Sequence, residues 1–309
     1  MSFELTILGS SSALPTSNRF PTAHLLKAGE RFFLIDCGEG TQMRLKKYGL
    51  NLARIHHIFI SHLHGDHVFG LFGLLSSLGM MGRKVPLHLY GPPALSDLMA
   101  QYGHFFGPLP FELACKSPTA SEAFIYESDK ITVTAIPLKH RTRTYGYLFR
   151  EKARPLNVIK EQIEAVGLGM ADVVKVKRGE DFITEDGEFI PNERLTHPPY
   201  HRRSYAYLSD TAFDPALADR VQGADLLFHE ATFAEKDKKL ATQTLHSTAA
   251  QAASIARMAG VKKLLIGHFS TRYKDTAQLV EEAREIFTPT VGVNDGDLYS
   301  VPLKRLKRE

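Results

Sequence analysis

The amino-acid sequence predicts an α/β fold whose strands deliver polar groups at their carboxyl ends. Three observations carry this. Short, β-branched apolar runs are followed by stretches of helical character in both halves of the chain, with no tandem repeat between the halves. Five of those runs end on histidines or carboxylates: His62, His64, Asp66 and His67 after the first, then His140, Asp210, His229 with Glu230, and His268. At 309 residues, 43% hydrophobic and 23% charged, the chain can form one large α/β domain or two smaller ones around a sizeable core.

In order, residues 1–8 alternate like a strand, with no basic leader or cleavage site, so no signal peptide is expected. A Gly/Ser/Pro loop over 9–17 follows, then a second strand over 31–35 that ends in Asp36-Cys37-Gly38-Glu39-Gly40. A carboxylate at a strand end beside glycines, as Asp36 is, can orient metal ligands from behind. Residues 41–48 read as a short helix, 55–61 as a buried strand and 68–75 as the start of a helix. Further strands are expected at 87–90, 111–113, 123–126 and 131–137, with a helix after Gly91-Pro92-Pro93 up to about Tyr102. Beyond an insertion, strands over 204–209, 224–228 and 263–267 lead to Asp210, His229 and His268. The Ala-rich stretch 247–260 is a helix with Ser247 or Thr248 as N-cap and His246 just before it.

The longest apolar stretch, 71–81, is too short and too Gly-rich to span a bilayer, so no membrane partner is expected. Two cysteines, Cys37 and Cys115, fit a reducing compartment, and a cytoplasmic location is expected. The net charge is +4, of which the last six residues supply +3, so charge alone does not argue for nucleic acid, and the basic tail reads as solvated.

The chemistry concentrates in His62-Leu63-His64-Gly65-Asp66-His67, on the turn after the strand 55–61. There Gly65 is expected to bend the backbone, so that the first pair of side chains faces one centre and the second pair another. Neutral imidazoles and carboxylates suit zinc, manganese or ferrous iron, and four such groups after a buried strand are costly to desolvate without a cation. Residues 150–203 differ in character. Ten Lys/Arg and ten Asp/Glu balance there, no core-facing period is sustained, and Lys175, Lys177 and Arg178 are the local anion-binding candidates. Low hydrophobic content predicts that this insertion orders only on its partner.

His62-x-His64-x-Asp66-His67 followed by single His140, Asp210 and His268 resembles the metallo-β-lactamase fold superfamily. The resemblance implies a four-layer αβ/βα sandwich with a dinuclear metal site at its edge. Asp36-Cys37-Gly38-Glu39-Gly40-Thr41-Gln42, His229-Glu230-Ala231-Thr232, His246-Ser247-Thr248 and the glycine-containing, basic insertion narrow it to the short-form tRNase Z family over essentially the whole chain. What this implies is a zinc-dependent endoribonuclease that removes the 3′ trailer from precursor tRNA, with an attacking water activated between the ions. The tRNA would be left with a 3′-hydroxyl and the trailer with a 5′-phosphate. One zinc would be held by His62, His64 and His140, a second by Asp66, His67 and His268, with Asp210 bridging. Manganese would suit the same donors. Asp66 would be the general base, and His246 paired with Glu230 would protonate the leaving 3′-oxygen. The resemblance further implies a homodimer and a projecting tRNA-binding arm over 150–203, within a domain spanning 1–309. Arg19 would be a further RNA contact, in a loop 15–20 that keeps only Pro15 and Arg19 of the family's Pro-x-Lys-x-Arg-Asn. Ser209 stands where a glycine usually precedes the bridging aspartate.

The same seven ligands would serve a thioesterase or lactonase of that superfamily. Against this alternative stand the insertion, the His246/Glu230 pair and the absence of an appended substrate domain after His268. A metal-free scaffold or RNA-binding protein is disfavoured because all seven ligands are present.

Overall fold

Residues 2–119 supply six of the seven strands of one sheet and the helices that cover it. In the structure, a computed structural model describing residues 2–119 and 124–307, β1 (Phe3–Gly9), β2 (Ala23–Ala28) and β3 (Arg31–Ile35) form an antiparallel meander. The strands β4 (Ile55–Phe59), β5 (Leu87–Tyr90) and β6 (Leu113–Lys116) continue the sheet in parallel. Parallel neighbours need crossovers, and α2 (Gly65–Met80) and α3 (Ala94–Phe106) supply them, after a short α1 (Thr41–Lys47). The strand expected at 111–113 lies at β6 instead, because Phe111 is buried under the helices rather than hydrogen-bonded in the ladder.

Two sequence expectations about α2 are corrected. The helix begins at Gly65 rather than Val68, with His64 extended at its N-cap, so Gly65 is helical and the bend is made before it. Apolar periodicity starts only at Val68 because the first turn is held by tertiary bonds: Cys37 N–H donates to His67 O (2.8 Å) and Gly70 N–H to Cys37 O (2.9 Å). This close approach requires glycine. A Cβ on Gly70 would lie 2.0 Å from Gly38 O, and one on Gly38 2.5 Å from Asp66 O.

The second sheet opens with β7 (Tyr126–Glu127), β8 (Ile131–Leu138) and β9 (Thr144–Glu151). Residue 123 of the strand expected at 123–126 lies outside the described residues. The chain then forms a second compact unit, residues 151–202 together with 302–309. It holds α4 (Lys160–Ala165), α5 (Met170–Lys177), the hairpin β10 (Phe182–Ile183) and β11 (Phe189–Ile190), and α6 (Asn192–Leu195). Leu168, Val176, Ile190 and Leu195 are its buried centre, ringed by Val158, Ile163, Val166, Val173 and Phe182. Asn192 ties it together, donating to Val176 O and Glu180 O (2.8 Å each). The expectation that this segment orders only on a partner is therefore corrected: few apolar residues suffice because they converge on one small cluster. The basic tail is not merely solvated either, since residues 304–306 pair with 199–201.

The first unit resumes with β12 (Ser204–Leu208), α7 (Leu217–Arg220), β13 (Leu226–Glu230), α8 (Lys238–Thr244), α9 (Ala249–Ala259), β14 (Leu264–Gly267), α10 (Ala277–Ile286) and β15 (Thr290–Gly292). The strand β16 (Leu298–Ser300) then returns to pair with β1. The second sheet has the order β15-β14-β13-β12-β9-β8-β7, parallel from β12 to β15. The strands β12 to β14 are buried throughout, which is why they read as continuous apolar runs. Phe33, Phe59, Tyr147, Phe149, Tyr205, Tyr207 and Phe228 fill the space between the sheets. The outer face of the first sheet packs on Leu71, Leu74, Leu75 and Leu95, and that of the second on the alanines of α9. The result is the four-layer αβ/βα arrangement expected from the sequence.

Candidate metal centre

The carboxyl ends of β4, β8, β12, β13 and β14 and the first turn of α2 meet at one edge of this sandwich. Ligand atoms of His62, His64, His140 and Asp210 lie within 4.8 Å of one another, as do those of Asp66, His67 and His268. Asp210 stands between the groups. Its Oδ2 is 3.6 Å from His62 Nε2 and 3.8 Å from His140 Nε2, while its Oδ1 is 3.2 Å from His268 Nε2 and 3.5 Å from His67 Nε2. The other carboxylate oxygen of the second group, Asp66 Oδ2, lies 3.4 Å from both His67 Nε2 and His268 Nε2, and accepts the Ala13 N–H (2.8 Å).

The hydrogen bonds behind these rings fix their tautomers. His67 Nδ1–H donates to Asp36 Oδ2 (2.7 Å) and His140 Nδ1–H to Leu245 O (3.0 Å), since neither acceptor can donate. Ser61 Oγ donates its own proton to Asp36 Oδ2 (2.8 Å), so it accepts from His62 Nδ1 (3.0 Å). Thr232 Oγ1 likewise donates to Glu230 Oε2 (2.6 Å) and accepts from His268 Nδ1 (3.0 Å). Four imidazoles thus hold their Nδ1–H outward and turn Nε2 to the centre, the nitrogen through which a metal would be bound.

Sequence reasoning noticed Asp36 but missed the depth of its support. It is fully buried, takes a left-handed backbone (φ 54°) and accepts four bonds, from Ser61 N–H, Ser61 Oγ, His67 and Tyr207 Oη (2.5 Å). His268 is also left-handed (φ 58°). Two non-glycine residues in that region at one site are strained positions the surrounding bonds hold in place. Ser61 and Tyr207 carried no sequence signal, because hydroxyls in strands are ordinary, and Ser209 and Thr232 were noticed in the sequence without a role at the site. Ser209 Oγ donates to Asp210 Oδ1 (3.2 Å). His229, which shares a strand end with Glu230, turns away: its Nδ1 contacts Glu230 O (2.7 Å), and adjacent strand residues face opposite sides.

Charge divides the site. Burial, aided by neighbouring rings, pushes His62 well below the usual imidazole range and lowers His64 and His140, which keeps them neutral. Burial also opposes charge on His67, but Asp66, Asp210 and Asp36 outweigh it and raise its pKa well above the usual value. Asp66 and Asp210 are held far below the carboxylate range in spite of burial by the surrounding imidazoles. The ionised Asp66 and Asp210 among these buried rings make a place whose charge a cation would neutralise. The histidine and aspartate clusters suit a metal-binding site.

His246 sits beside this centre, a ring nitrogen within 4.8 Å of ligand atoms of Asp210 and His268. Its Nδ1 donates to Glu230 Oε1 (2.9 Å). Burial works against its charged form, yet the Glu230 carboxylate lifts its pKa to about 9. Glu230 accepts further from Thr211 N–H, Ser247 N–H, Thr232 N–H and Thr232 Oγ1. Arg19 is engaged by the protein, donating to Ser10 Oγ, Val293 O and Asn294 Oδ1 and lying over Phe269. With Thr16, Ser17, Phe269, Tyr273 and Lys274 it lines a cavity of about 560 Å³. Lys175, Lys177 and Arg178 lie at the carboxyl end of α5, exposed, in the second unit.

Two family models match parts of the chain: Beta-lactamase superfamily domain over residues 194–269, and Anti-Pycsar protein Apyc1 over 3–102. The chain is 47% identical to Ribonuclease Z of Bacteroides thetaiotaomicron over 295 residues, covering 94% of this chain and 92% of the relative. Ribonuclease Z of Bacteroides fragilis (strain YCH46) is 46% identical, at 94% and 96% coverage. Among solved structures, human tRNase Z, short form, superposes with a TM-score of 0.70 at 26% identity, covering 97% of this chain and 99% of that one. The metallo-beta-lactamase fold protein YhfI from Bacillus subtilis superposes with a TM-score of 0.70 at 17% identity, covering 97% and 100%, which shows the shared fold. On this identity and coverage, the chain belongs to the ribonuclease Z family.

Proposed function

We propose that the protein is a metal-dependent phosphodiesterase that removes the 3′ trailer from precursor tRNA, leaving a 3′-hydroxyl on the tRNA and a 5′-phosphate on the trailer. The observation that carries this reading is the His246–Glu230 pair beside the seven-residue donor set, in a chain related to ribonuclease Z over nearly its full length. The donor chemistry fits two divalent ions, zinc first and manganese as an alternative. His62, His64 and His140 would hold one and Asp66, His67 and His268 the other, with one oxygen of Asp210 toward each. Such a pair of ions makes water acidic enough to attack near neutral pH and offsets charge on the attacking and leaving oxygens.

The chain's own residues supply the proton transfers. Asp66 Oδ2, fixed by the Ala13 N–H and kept ionised, accepts the proton of the attacking water. The bond from phosphorus to the 3′-oxygen breaks, and that oxygen departs as a poor leaving group needing a proton. His246 delivers it while Glu230 holds the ring's Nδ1. The second unit binds the RNA in this reading, and the cavity beside Arg19 receives nucleotides next to the cut. The working form is a homodimer in the cytoplasm. The exposed Met43, Met80 and Met81, around a groove shared with Leu50 and Leu52, offer a surface a second copy would cover. No described helix is long and apolar enough to cross a membrane.

The test is incubation of the purified protein with a precursor tRNA and, separately, with a thioester. Cutting of the precursor at the 3′ end of the tRNA, with the ends given above, is expected. Hydrolysis of the thioester alone would overturn the reading.

A further inference from the structure

The charge of the second unit does not lie where the sequence put it. Residues 151–202 carry eight Lys/Arg against ten Asp/Glu, a net of −2. Around α5 the cations Lys175, Lys177 and Arg178 are matched by Asp172, Glu180 and Asp181, and Lys175 Nζ lies 4.0 Å from Asp172 Oδ1. That face is close to neutral. The cationic excess arrives with the C-terminal segment. His201 N–H donates to Lys304 O (2.8 Å), Leu306 N–H donates to Pro199 O (2.8 Å), and Tyr200 pairs antiparallel with Arg305. The Arg305 guanidinium lies over the Tyr200 ring at 5.3 Å, and the Arg154 guanidinium is 5.8 Å from the same ring. Arg154 is neutralised by Glu151 (2.8 Å).

This pairing joins Arg202 to Lys304, Arg305 and Lys307, four exposed cations, with no Asp or Glu within 197–202 or 302–307. None of the four has a carboxylate partner among the described residues. The three cations of residues 304–307 turn the net −2 of residues 151–202 into +1. We propose that the C-terminal strand and the segment 199–202 together form a phosphate-binding surface for the RNA substrate, and that this surface, rather than α5, supplies most of the unit's affinity. The proposal rests on the RNA-processing reading above. Solvated cations fixed on a paired backbone with no carboxylate in their segments release counterions when they meet a phosphate chain, whereas the α5 cations share their face with as many carboxylates, Asp172 within 4.0 Å of Lys175, and gain less. The Tyr200 ring, covered by two guanidiniums, holds the strand in place and is not a stacking platform for a base.

The test compares precursor-tRNA binding by wild type, by Lys304→Gln/Lys307→Gln and by Lys175→Gln/Lys177→Gln/Arg178→Gln at several salt concentrations. The double variant leaves the Arg305–Tyr200 stacking and the backbone pairing intact, so the unit should stay folded. It should weaken binding about tenfold and flatten the salt slope by roughly 0.7–0.9 for each phosphate that is no longer neutralised. The α5 triple variant should bind within about threefold of wild type. Hydrolysis of a small phosphodiester should be unchanged in both, and Lys304→Arg/Lys307→Arg should bind like wild type. Equal binding by the Lys304→Gln/Lys307→Gln protein, or a larger loss in the α5 variant, would overturn the proposal. Loss of diester hydrolysis in the double variant would overturn it too, by showing a structural role. A wild type that binds no precursor tRNA would instead overturn the functional reading itself.

Discussion

Replacing His246 with alanine separates proton donation from metal binding. Glu230 is fully buried, and the substitution removes one of its five hydrogen-bond donors. The Thr211, Ser247 and Thr232 N–H groups and the Thr232 hydroxyl remain. The carboxylate therefore stays satisfied, and the fold and donor set should survive. Turnover of precursor tRNA should fall by roughly 10²–10⁴-fold, the range of a general acid, which corresponds to about 3–5 kcal/mol of transition-state stabilisation. A nitrophenyl phosphodiester, whose leaving group needs little protonation, should lose much less. The assay is kcat on both substrates with metal per chain measured in parallel. Equal losses on both would refute proton donation and leave a positioning role. A fall in bound metal would make His246 a ligand, as its closeness to Asp210 and His268 allows. Glu230→Gln is a poor substitute, because its NH₂ would face backbone N–H donors whichever way the amide turned.

Three further outcomes follow from the same geometry. Asp210→Ala removes the one carboxylate that reaches both ligand groups, so bound metal and diesterase activity should both collapse; full activity with two metals per chain would contradict the shared role. Ser209→Gly frees Asp210 Oδ1 and should weaken metal affinity by about tenfold, the low end for a supporting partner, as read by competition with a chelator. His24 is fully buried and held near a pKa of about 3, by burial first and then by His67, below its ordinary unfolded value. The unfolded state then binds more protons, so between pH 7 and 5 this ring alone should cost about 2 kcal/mol of stability. Denaturant melts of wild type and His24→Gln should show a smaller pH loss in the variant.

Much of the histidine and aspartate cluster was legible because it is local. His62, His64, Asp66 and His67 fall within six residues, and His140, Asp210 and His268 each close a recognisable apolar run. What was not legible depends on distance. The tautomers of the clustered rings are set by Asp36, Ser61, Thr232 and the Leu245 carbonyl, up to 105 residues away. The second unit looked unfolded because its cluster draws single residues from several short segments rather than from one periodic face. The tail looked solvated because its partner, Tyr200, lies a hundred residues earlier and no local pattern announces an isolated strand pair.

RNA cleavage, in this reading, depends on two ions held by the seven-residue donor set. The most direct measurement titrates zinc into protein stripped by a chelator, following bound metal per chain and precursor-tRNA cleavage together. Two equivalents should bind, with cleavage absent from the stripped protein and complete only as the second equivalent fills. Cleavage at full rate by the stripped protein, or saturation of activity with neither ion retained, would contradict that dependence.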